Sequence, residues 1–317
     1  MLCYPRPNTK RSPTALRPLS AELSSLSRSD GSASLRAGDT HVICAVHGPM
    51  APRISRWERY DRGVVSVAFS RGLMSNGDGA ASATSAAAED GGGITIDGIG
   101  GKNDATQATN SSSSSLHSMK SVPVPPPPGL GATERELEYF LRDALSSCIM
   151  LERYPRCVIQ VVIQIVQADG AVLGSAVNCA ALALMDAGVA MRGMPVASTC
   201  AVIRNSRGTE MGNDDMDETD GGGGGPTVWL DPTAEEESGE GHAIAVHVTN
   251  MTSSSSSEGG GSDAGEITSS FTFGSPLSLE GLLASMDRTM QSRAAMVAFM
   301  RLAVEQKVQR EVQTLWS

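Results

Sequence analysis

The sequence predicts a mixed α+β domain, and three observations lead to that fold class. Segments with alternating or continuous apolar residues, typical of strands, dominate the first part of the chain. Two segments with helical character alternate with further predicted strands, and a long predicted helix comes last. Three low-complexity tracts interrupt this order. Strands and helices that follow one another irregularly in this way are typical of an α+β fold.

The low-complexity tracts lie at 72–132, 205–226 and 251–266 and consist mainly of Gly, Ser, Ala, Pro and acidic residues. Such tracts bury too little apolar surface to offset the entropy of ordering, so we predict that they are disordered insertions. The remainder suffices for a single domain over 16–317, preceded by a flexible N-terminus at 1–15. The tracts carry the acidic excess behind the net charge of −10, so this charge does not exclude a nucleic-acid partner.

The first half of the domain is predicted to contain a hairpin, a strand, a helix and a further strand. The hairpin spans 31–47, with its turn at Gly38 and Asp39, and the next strand spans 64–69. A helix begins near 134, and a strand follows it at 157–166. The apolar stripe of that helix comprises Leu137, Phe140, Leu141, Leu145 and Cys148.

The second half begins with an Ala-rich helix at 175–187, which Gly188 ends. A last helix spans 278–316, with Ser278 as its N-cap. Between the two helices, strands are predicted near 194–203, 227–231, 243–249 and 269–273.

The six cysteines are widely spaced, form no C-x-x-C pair and have no histidine at metal-ligand spacing. We interpret them as reduced, buried thiols rather than as a disulfide or zinc framework. No run of about 18 apolar residues is present, and the N-terminus lacks the apolar core of a signal peptide. We therefore expect a nuclear or cytoplasmic protein that does not associate with membranes.

The segment QADGAVLGS at 167–175 joins a predicted strand to the Ala-rich helix. Loops of this kind often bind phosphate, because the amide groups at a helix N-terminus point outward. Here, however, Val172 and Leu173 stand at the start of the helix, and neither side chain can donate a hydrogen bond. The loop has the form of an anion site without its donors.

Three segments together resemble the RNase PH family: LRPLSAELSSLSRSDGSASLRAGDTHVICAVHGPM at 16–50, QADGAVLGSAVNCAALALMDAGVAMRGMPVA at 167–197, and WLDPTAEEESGEG at 229–241. The resemblance implies an RNase PH-like domain of two βαβα units, assembled into a hexameric ring that threads RNA through a central pore. Active members of the family cleave RNA from its 3′ end with inorganic phosphate as the nucleophile.

The resemblance also identifies the positions that would hold the phosphate. Active members carry Gly-Thr-Arg-Thr where this sequence has Ala171, Val172, Leu173 and Gly174. A second phosphate-binding arginine of the family corresponds to Thr133 or to the residue after it. Both parts of the nucleophile site are therefore expected to be degenerate.

Asp231 and Glu237 correspond to the family's pair of catalytic acids, with glutamate in place of the second aspartate. Two interpretations are open: Asp231 caps a turn with Pro232 while the glutamates are solvated, or a weak residual metal site persists. We expect no catalytic residue, no bound metal and no cofactor. Arg53 and Arg56 match basic positions near the family's RNA path, and the alternatives are salt bridges to a ring neighbour or a solvated loop. Trp57 could stack on a base or anchor an interface.

The resemblance thus implies a non-catalytic ring subunit of an RNA exosome that supports RNA threading, decay and ribosomal RNA maturation. Its expected partners are other RNase PH-like ring subunits, cap subunits and single-stranded RNA, and its expected location is the nucleus and nucleolus as well as the cytoplasm. Two alternatives are an active phosphate-dependent 3′-to-5′ exoribonuclease and a free-standing nucleic-acid-binding module.

Overall fold

A computed structural model describes Arg6 and residues 11–52, 58–71, 134–203, 226–239, 241–251 and 266–316. All of these residues fall within one compact unit that comprises Met1–Met74 and Pro127–Ser317. Nearly all of the predicted insertions at 72–132, 205–226 and 251–266 lies outside the described residues.

The first sheet has five strands in the order β1-β2-β3-β5-β4. Neighbouring strands are antiparallel except for β4 and β5, which are parallel and are connected through helix α1. The strands are β1 (Leu19–Leu23), β2 (Gly31–Ala37), β3 (Thr40–Met50), β4 (Val64–Arg71) and β5 (Val158–Gln167).

The second sheet has four strands in the order β7-β6-β8-β9, and all of its pairs are antiparallel. Its long central pair, β6 and β8, buries nearly every side chain, as expected of strands covered on both faces. The strands are β6 (Met194–Ile203), β7 (Thr227–Leu230), β8 (His242–Met251) and β9 (Glu266–Gly274).

Helix α2 forms the centre of the core, because it packs against β2 and β3 of the first sheet and against β6 of the second. Every residue from Leu173 to Leu184 in this helix is buried, and most are small, which permits close approach to both sheets. The long helix α4 packs against β6, β1, β7 and β8, while α1 packs against β4 and β9. The helices are α1 (Glu134–Cys148), α2 (Val172–Asp186), α3 (Ala234–Glu237) and α4 (Leu279–Trp316). None of the described helices is both long enough and apolar enough to cross a membrane.

The α+β class is confirmed, and the hairpin turn lies at Gly38, whose φ is 59°. The predicted stripe of α1 is buried along its whole length. Ser278 caps α4 as predicted, since its Oγ accepts a hydrogen bond from Gly281 N at 3.2 Å. The five thiols that the structure describes are free, and four of them are buried.

Three elements differ from the sequence-based prediction. Helix α2 begins at Val172 rather than at 175, and β9 begins at Glu266 rather than near 269. Strand β1 is absent from the prediction because its five residues carry little pattern of their own and depend on pairing with β2. The segment 11–15, predicted as part of a flexible N-terminus, lies beside β7, where Leu230 N donates to Pro13 O at 2.9 Å.

A buried histidine joins α4 to the second sheet and predicts a pH dependence of stability. His247 on β8 is fully buried between Ser285 Oγ at 2.8 Å from Nε2 and Ser270 Oγ at 2.9 Å from Nδ1. Burial lowers the pKa of His247 to about 4, below the value of ~6.5 expected in the unfolded chain. The unfolded state therefore binds more protons between these two values.

We expect the free energy of unfolding, relative to His247→Gln, to be constant above pH ~6.5 and to fall by about 3 kcal/mol as the pH approaches 4. The comparison with His247→Gln is needed because Glu237, whose pKa burial raises to about 7, titrates in the same range with the opposite sign in both proteins. Urea denaturation at several pH values measures this slope, and the variant His247→Gln serves as the control because it cannot titrate. An equal slope in His247→Gln would show that another group is responsible.

Candidate functional site

The loop between β5 and α2 turns sharply through two left-handed residues. Gly170 has φ of 71° and Ala171 has φ of 49°, after which Val172 begins the helix. A left-handed alanine is uncommon because its Cβ approaches a carbonyl oxygen. Contacts with surrounding residues must therefore stabilise this turn, because the conformational preference of alanine does not favour it.

Val172 and Leu173, the two apolar residues at the start of α2, contribute to the core. Leu173 is only 6% exposed and belongs to the main apolar cluster, and Val172 packs partly against the same cluster. A cationic side chain at position 173 would thus point into hydrocarbon unless the helix N-terminus moved.

Thr199 of the second sheet occupies the space beside Gly174, the residue that follows Leu173. A Cβ built on Gly174 would lie 2.5 Å from Thr199 Oγ1 on β6, which is closer than non-bonded atoms approach. A threonine at position 174, as in active members of the family, would collide with this hydroxyl. A small cavity beside these residues, bounded also by Ser175 and Asp231, has room for about one water molecule.

Asp231, one of the two predicted acids, forms a buried ion pair with an arginine that sequence reasoning missed. Its Oδ1 accepts a hydrogen bond from Arg17 Nη2 at 2.7 Å, and its Oδ2 accepts one from Arg17 N at 2.8 Å. Both side chains are largely inaccessible to solvent. Asp231 is therefore a buried, ion-paired residue, and each of its oxygens accepts one hydrogen bond from Arg17.

The Arg17 guanidinium also holds the loop after β5. It donates to the carbonyl oxygens of Asp169 and Gly170, the latter at 3.1 Å, and it lies 3.5 Å from the Asp169 carboxylate. Thr40 Oγ1 reinforces this contact, since it donates to Gly170 O at 2.8 Å and accepts from Asp169 N at 3.1 Å. The positive charge beside this loop is therefore supplied by a side chain of the protein, the Arg17 guanidinium.

Glu237, the second predicted acid, lies at the N-terminal end of α2. Its Oε1 accepts a hydrogen bond from Ala171 N at 2.6 Å, so a side-chain carboxylate occupies a place where helix amides attract anions. Burial raises the pKa of Glu237 to about 7, although the Ala171 hydrogen bond and Arg17 oppose the rise. The structure therefore brings Asp231 and Glu237 to the same loop.

A second ion pair closes the site from the N-terminal side. Arg6 Nη1 lies 3.3 Å from Glu236 Oε2, both side chains are fully buried, and Arg11 Nη2 lies 3.8 Å from the same oxygen. Glu236 also completes a capping box with Thr233 at the start of α3. The signal that could have revealed such arginines is an isolated cation between apolar residues, as Arg17 is between Leu16 and Pro18.

The residues present do not fit a divalent metal at Asp231 and Glu237. Arg17 already neutralises Asp231 and donates a hydrogen bond to each of its oxygens, and Glu237 accepts a hydrogen bond from a backbone amide. Metal ligands need free carboxylate oxygens, and adding a cation beside the Arg17 guanidinium would be repulsive. Thr133, Arg53, Arg56 and Trp57 lie outside the described residues, so the predictions made for them stay predictions.

The close contact at Gly170 yields a prediction about the loop. A Cβ on Gly170 would lie 2.5 Å from both Pro232 O and the carbonyl carbon of Thr233, in addition to requiring a left-handed backbone. We expect Gly170→Ala to lower the free energy of unfolding by about 3 kcal/mol, measured by urea denaturation. Gly188→Ala is the matched control, since Gly188 has a φ of 67° with no neighbour within 4 Å, and it should cost only about 1 kcal/mol. Equal losses in the two variants would contradict the contact.

Comparisons with known proteins match the chain to one family. The profile described as the 3′ exoribonuclease family, domain 1 (RNase PH), matches residues 15–92 and 101–190, which together are more than half of the chain. The human exosome complex component MTR3 is 32% identical over 232 residues, covering 72% of this chain and 64% of the relative. The exosome complex component Rrp41 of Pyrobaculum calidifontis is 28% identical over 193 residues, covering 61% of this chain and 60% of the relative. The chain thus matches somewhat less than two thirds of the length of these relatives.

A solved structure supports the same fold. Rice Rrp46 has a TM-score of 0.59 with this chain at 22% identity, covering 92% of this chain and 96% of the rice chain. The sequence motifs also resemble ribosomal RNA-processing protein 46, but at this identity the structural likeness shows the fold alone. The family profile, the human relative and the shared fold lead to the same conclusion: the chain belongs to the RNase PH family.

Proposed function

We propose that this chain is a non-catalytic ring subunit of an RNA exosome. The observation that supports the proposal is the packing at the start of α2, where the family resemblance places the phosphate: Leu173 is buried in the core, and Thr199 occupies the space beside Gly174. Phosphorolysis needs cationic and amide donors that hold an anionic phosphate beside the RNA backbone. Here apolar and internally paired groups take those places.

The internal ion pairs support the same proposal. Arg17 donates a hydrogen bond to each oxygen of Asp231 and neutralises its charge, which makes this acid a weaker metal ligand and a weaker base. The ion pairs stabilise the junction between β5, α2 and β7, and we infer a structural rather than a catalytic role for them. A protein that keeps the fold without the reaction fits a role in assembly.

The relatives support the assembly itself. MTR3 and Rrp41 are both named exosome complex components, and we infer that this chain takes a corresponding place in a ring. Rings of non-identical subunits need heterologous interfaces, so two different neighbours and the cap subunits are the proposed protein partners. Single-stranded RNA is the proposed substrate of the assembly, with ribosomal RNA maturation and RNA decay as its processes in the nucleus, nucleolus and cytoplasm.

One observation favours the alternative of an active phosphate-dependent exoribonuclease. The two acids do meet at one loop, and a carboxyl whose pKa is about 7, as at Glu237, is suited to donate a proton near neutral pH. This alternative predicts turnover by the purified chain that Asp231→Asn abolishes.

Assembly is tested by expressing the full-length chain alone and together with RNase PH-like partner subunits, followed by size-exclusion chromatography with light scattering. The proposal predicts a defined hetero-oligomer with the partners and self-association or poor solubility of the chain alone. A stable monomer that ignores every RNase PH-like partner would overturn the ring assignment and would favour a free-standing nucleic-acid-binding module.

A further inference from the structure

The long helix α4 carries most of the exposed large apolar side chains of the part of the chain that the structure describes. Six of the ten such residues belong to this one helix, and each of the six is 47–87% exposed. They are Leu279, Leu283, Leu302, Val308, Val312 and Trp316. Single exposed apolar residues are normal on a protein surface, but a concentration on one element indicates a binding surface.

The six apolar side chains lie on one face of α4, which we call the outer face. Successive residues of an α-helix are rotated by about 100°, so these six fall within a sector of about 140°. The opposite face packs on the domain through five buried residues. They are Ser285, Thr289, Ser292, Met296 and Met300. The outer face is therefore turned away from the domain, and only another molecule can bury it.

The outer face is large enough for a stable interface. Helix α4 has 38 residues and is therefore about 57 Å long. The exposed parts of its six apolar residues amount to an area on the order of the ~800 Å² that each partner contributes to a standard interface. The largest apolar patch on a typical monomer covers only ~300–600 Å². Because the surface is long and narrow, the partner that fits it is an α-helix lying along α4.

The outer face has small residues at its centre and large ones at its ends. Ala294 and Ala298 are exposed near the midpoint of α4, whereas Leu279 stands at one end and Trp316 at the other. Close packing therefore requires a partner with bulky side chains opposite the alanines. A second α4, antiparallel about the helix midpoint, would instead bring the alanines of both copies to the centre. It would also place Leu279 opposite Trp316, so large side chains would meet large ones.

The charges on the outer face also favour a different protein over a second copy. Asp287, Arg301 and Glu305 are exposed there, and no ion pair among the described residues involves them. A parallel second α4 would place each of these charges opposite a like charge. An antiparallel one would place Arg301 opposite Ala294 and leave it without an opposite charge. Specific interfaces pair opposite charges, so the matching partner has an acid opposite Arg301 and bases opposite Asp287 and Glu305.

We propose that the outer face of α4 binds an amphipathic α-helix of another protein. This helix has bulky apolar side chains at its centre and charges that complement Arg301 and Glu305. The proposal goes beyond the proposed function, because the outer face takes no part in the degenerate site and the partner needs no RNase PH-like fold.

The probe for this proposal is a designed, fluorescein-labelled helical peptide as long as α4. It carries leucine at the positions that meet Ala294 and Ala298 and glutamate at the position that meets Arg301. Fluorescence anisotropy measures its affinity for the full-length chain, and we expect saturable binding of one peptide per chain. The double variant Val308→Glu, Val312→Glu should weaken this binding about tenfold or more, because it places unpaired charges in an apolar contact.

Exchanging a charge tests the complementarity directly. Arg301→Glu should weaken binding of the peptide, and a second peptide with lysine in place of that glutamate should restore it. Tyr139→Ala on α1 is the matched control, since Tyr139 is 64% exposed and lies outside the outer face, and it should leave the affinity unchanged. All variants should keep the urea midpoint of the wild type, because the substituted side chains are exposed.

Three results would overturn the proposal. The first is the absence of saturable binding to the wild type, or an equal loss in Tyr139→Ala. The second is self-association of the chain, seen by light scattering, that Val308→Glu, Val312→Glu abolishes, because the occupant would then be a second copy. The third is loss of the hetero-oligomer with RNase PH-like subunits in the same double variant, because the outer face would then belong to a ring neighbour. Failure of the wild type to form that hetero-oligomer would count against the proposed function, while the peptide titration would still decide this inference.

Discussion

Replacing Arg17 with alanine is expected to lower the free energy of unfolding by about 3–5 kcal/mol, the largest effect of any single change at the site. The substitution leaves the Asp231 carboxylate buried without its partner and frees the carbonyl oxygens of Asp169 and Gly170. Removing one member of a buried pair costs far more than the pair contributes, because the remaining charge stays desolvated. Urea denaturation monitored by circular dichroism measures the loss.

The control for this prediction is an ion pair of the same chemistry on the surface. Arg62 and Asp61 approach to 3.3 Å, but both side chains are about half exposed. Arg62→Ala should therefore change stability by no more than about 0.5 kcal/mol. Comparable losses for Arg17→Ala and Arg62→Ala would show that the Arg17 network does not hold the loop.

Introducing arginine at position 173 is expected to destabilise the protein by about 3 kcal/mol or more without creating phosphorolysis. Leu173 lies in the apolar cluster, and an unpaired charge in such a place must either stay desolvated or pull the helix end outward. Arginine is the residue that active members of the family carry at this position. Its restoration still leaves Thr133 or Glu134 at the position that the family resemblance assigns to the second phosphate-binding arginine. Thermal denaturation and an assay for released nucleoside diphosphate measure the two outcomes.

Two matched controls are available: one keeps position 173 apolar, and the other changes the partly buried Val172. Leu173→Met keeps the volume and should cost less than about 1.5 kcal/mol, and Val172→Thr should have a small effect because Val172 is only partly buried. A Leu173→Arg variant with wild-type stability and measurable turnover would mean that the loop can still accommodate a phosphate.

Local pattern was sufficient for much of the fold. The stripe of α1 and the hairpin turn at Gly38 are encoded within short segments, so the sequence predicts both correctly. The start of α2 could not be predicted in the same way. Its left-handed turn lies against residues that are distant in the sequence, with Gly170 close to Pro232 O and with Ala171 N donating to Glu237.

In the candidate site, too, some residues can be identified from the sequence and others cannot. The apolar replacements at Val172 and Leu173 and the acids Asp231 and Glu237 are visible in the sequence through the family resemblance. The partner of Asp231 is not, because Arg17 stands 214 positions away and nothing local pairs the two residues. The sequence therefore predicts the apolar loop residues and the two acids, but not the pairing of Asp231 with Arg17.

The most direct measurement of the central claim is the phosphate-dependent release of nucleoside diphosphates from single-stranded RNA by the purified full-length chain. It is made at phosphate concentrations that saturate active members of the family, with an active RNase PH as the positive control and Asp231→Asn as the matched variant. We predict no release above background, with wild type and Asp231→Asn indistinguishable. Robust release by the wild type that Asp231→Asn abolishes would contradict the non-catalytic assignment.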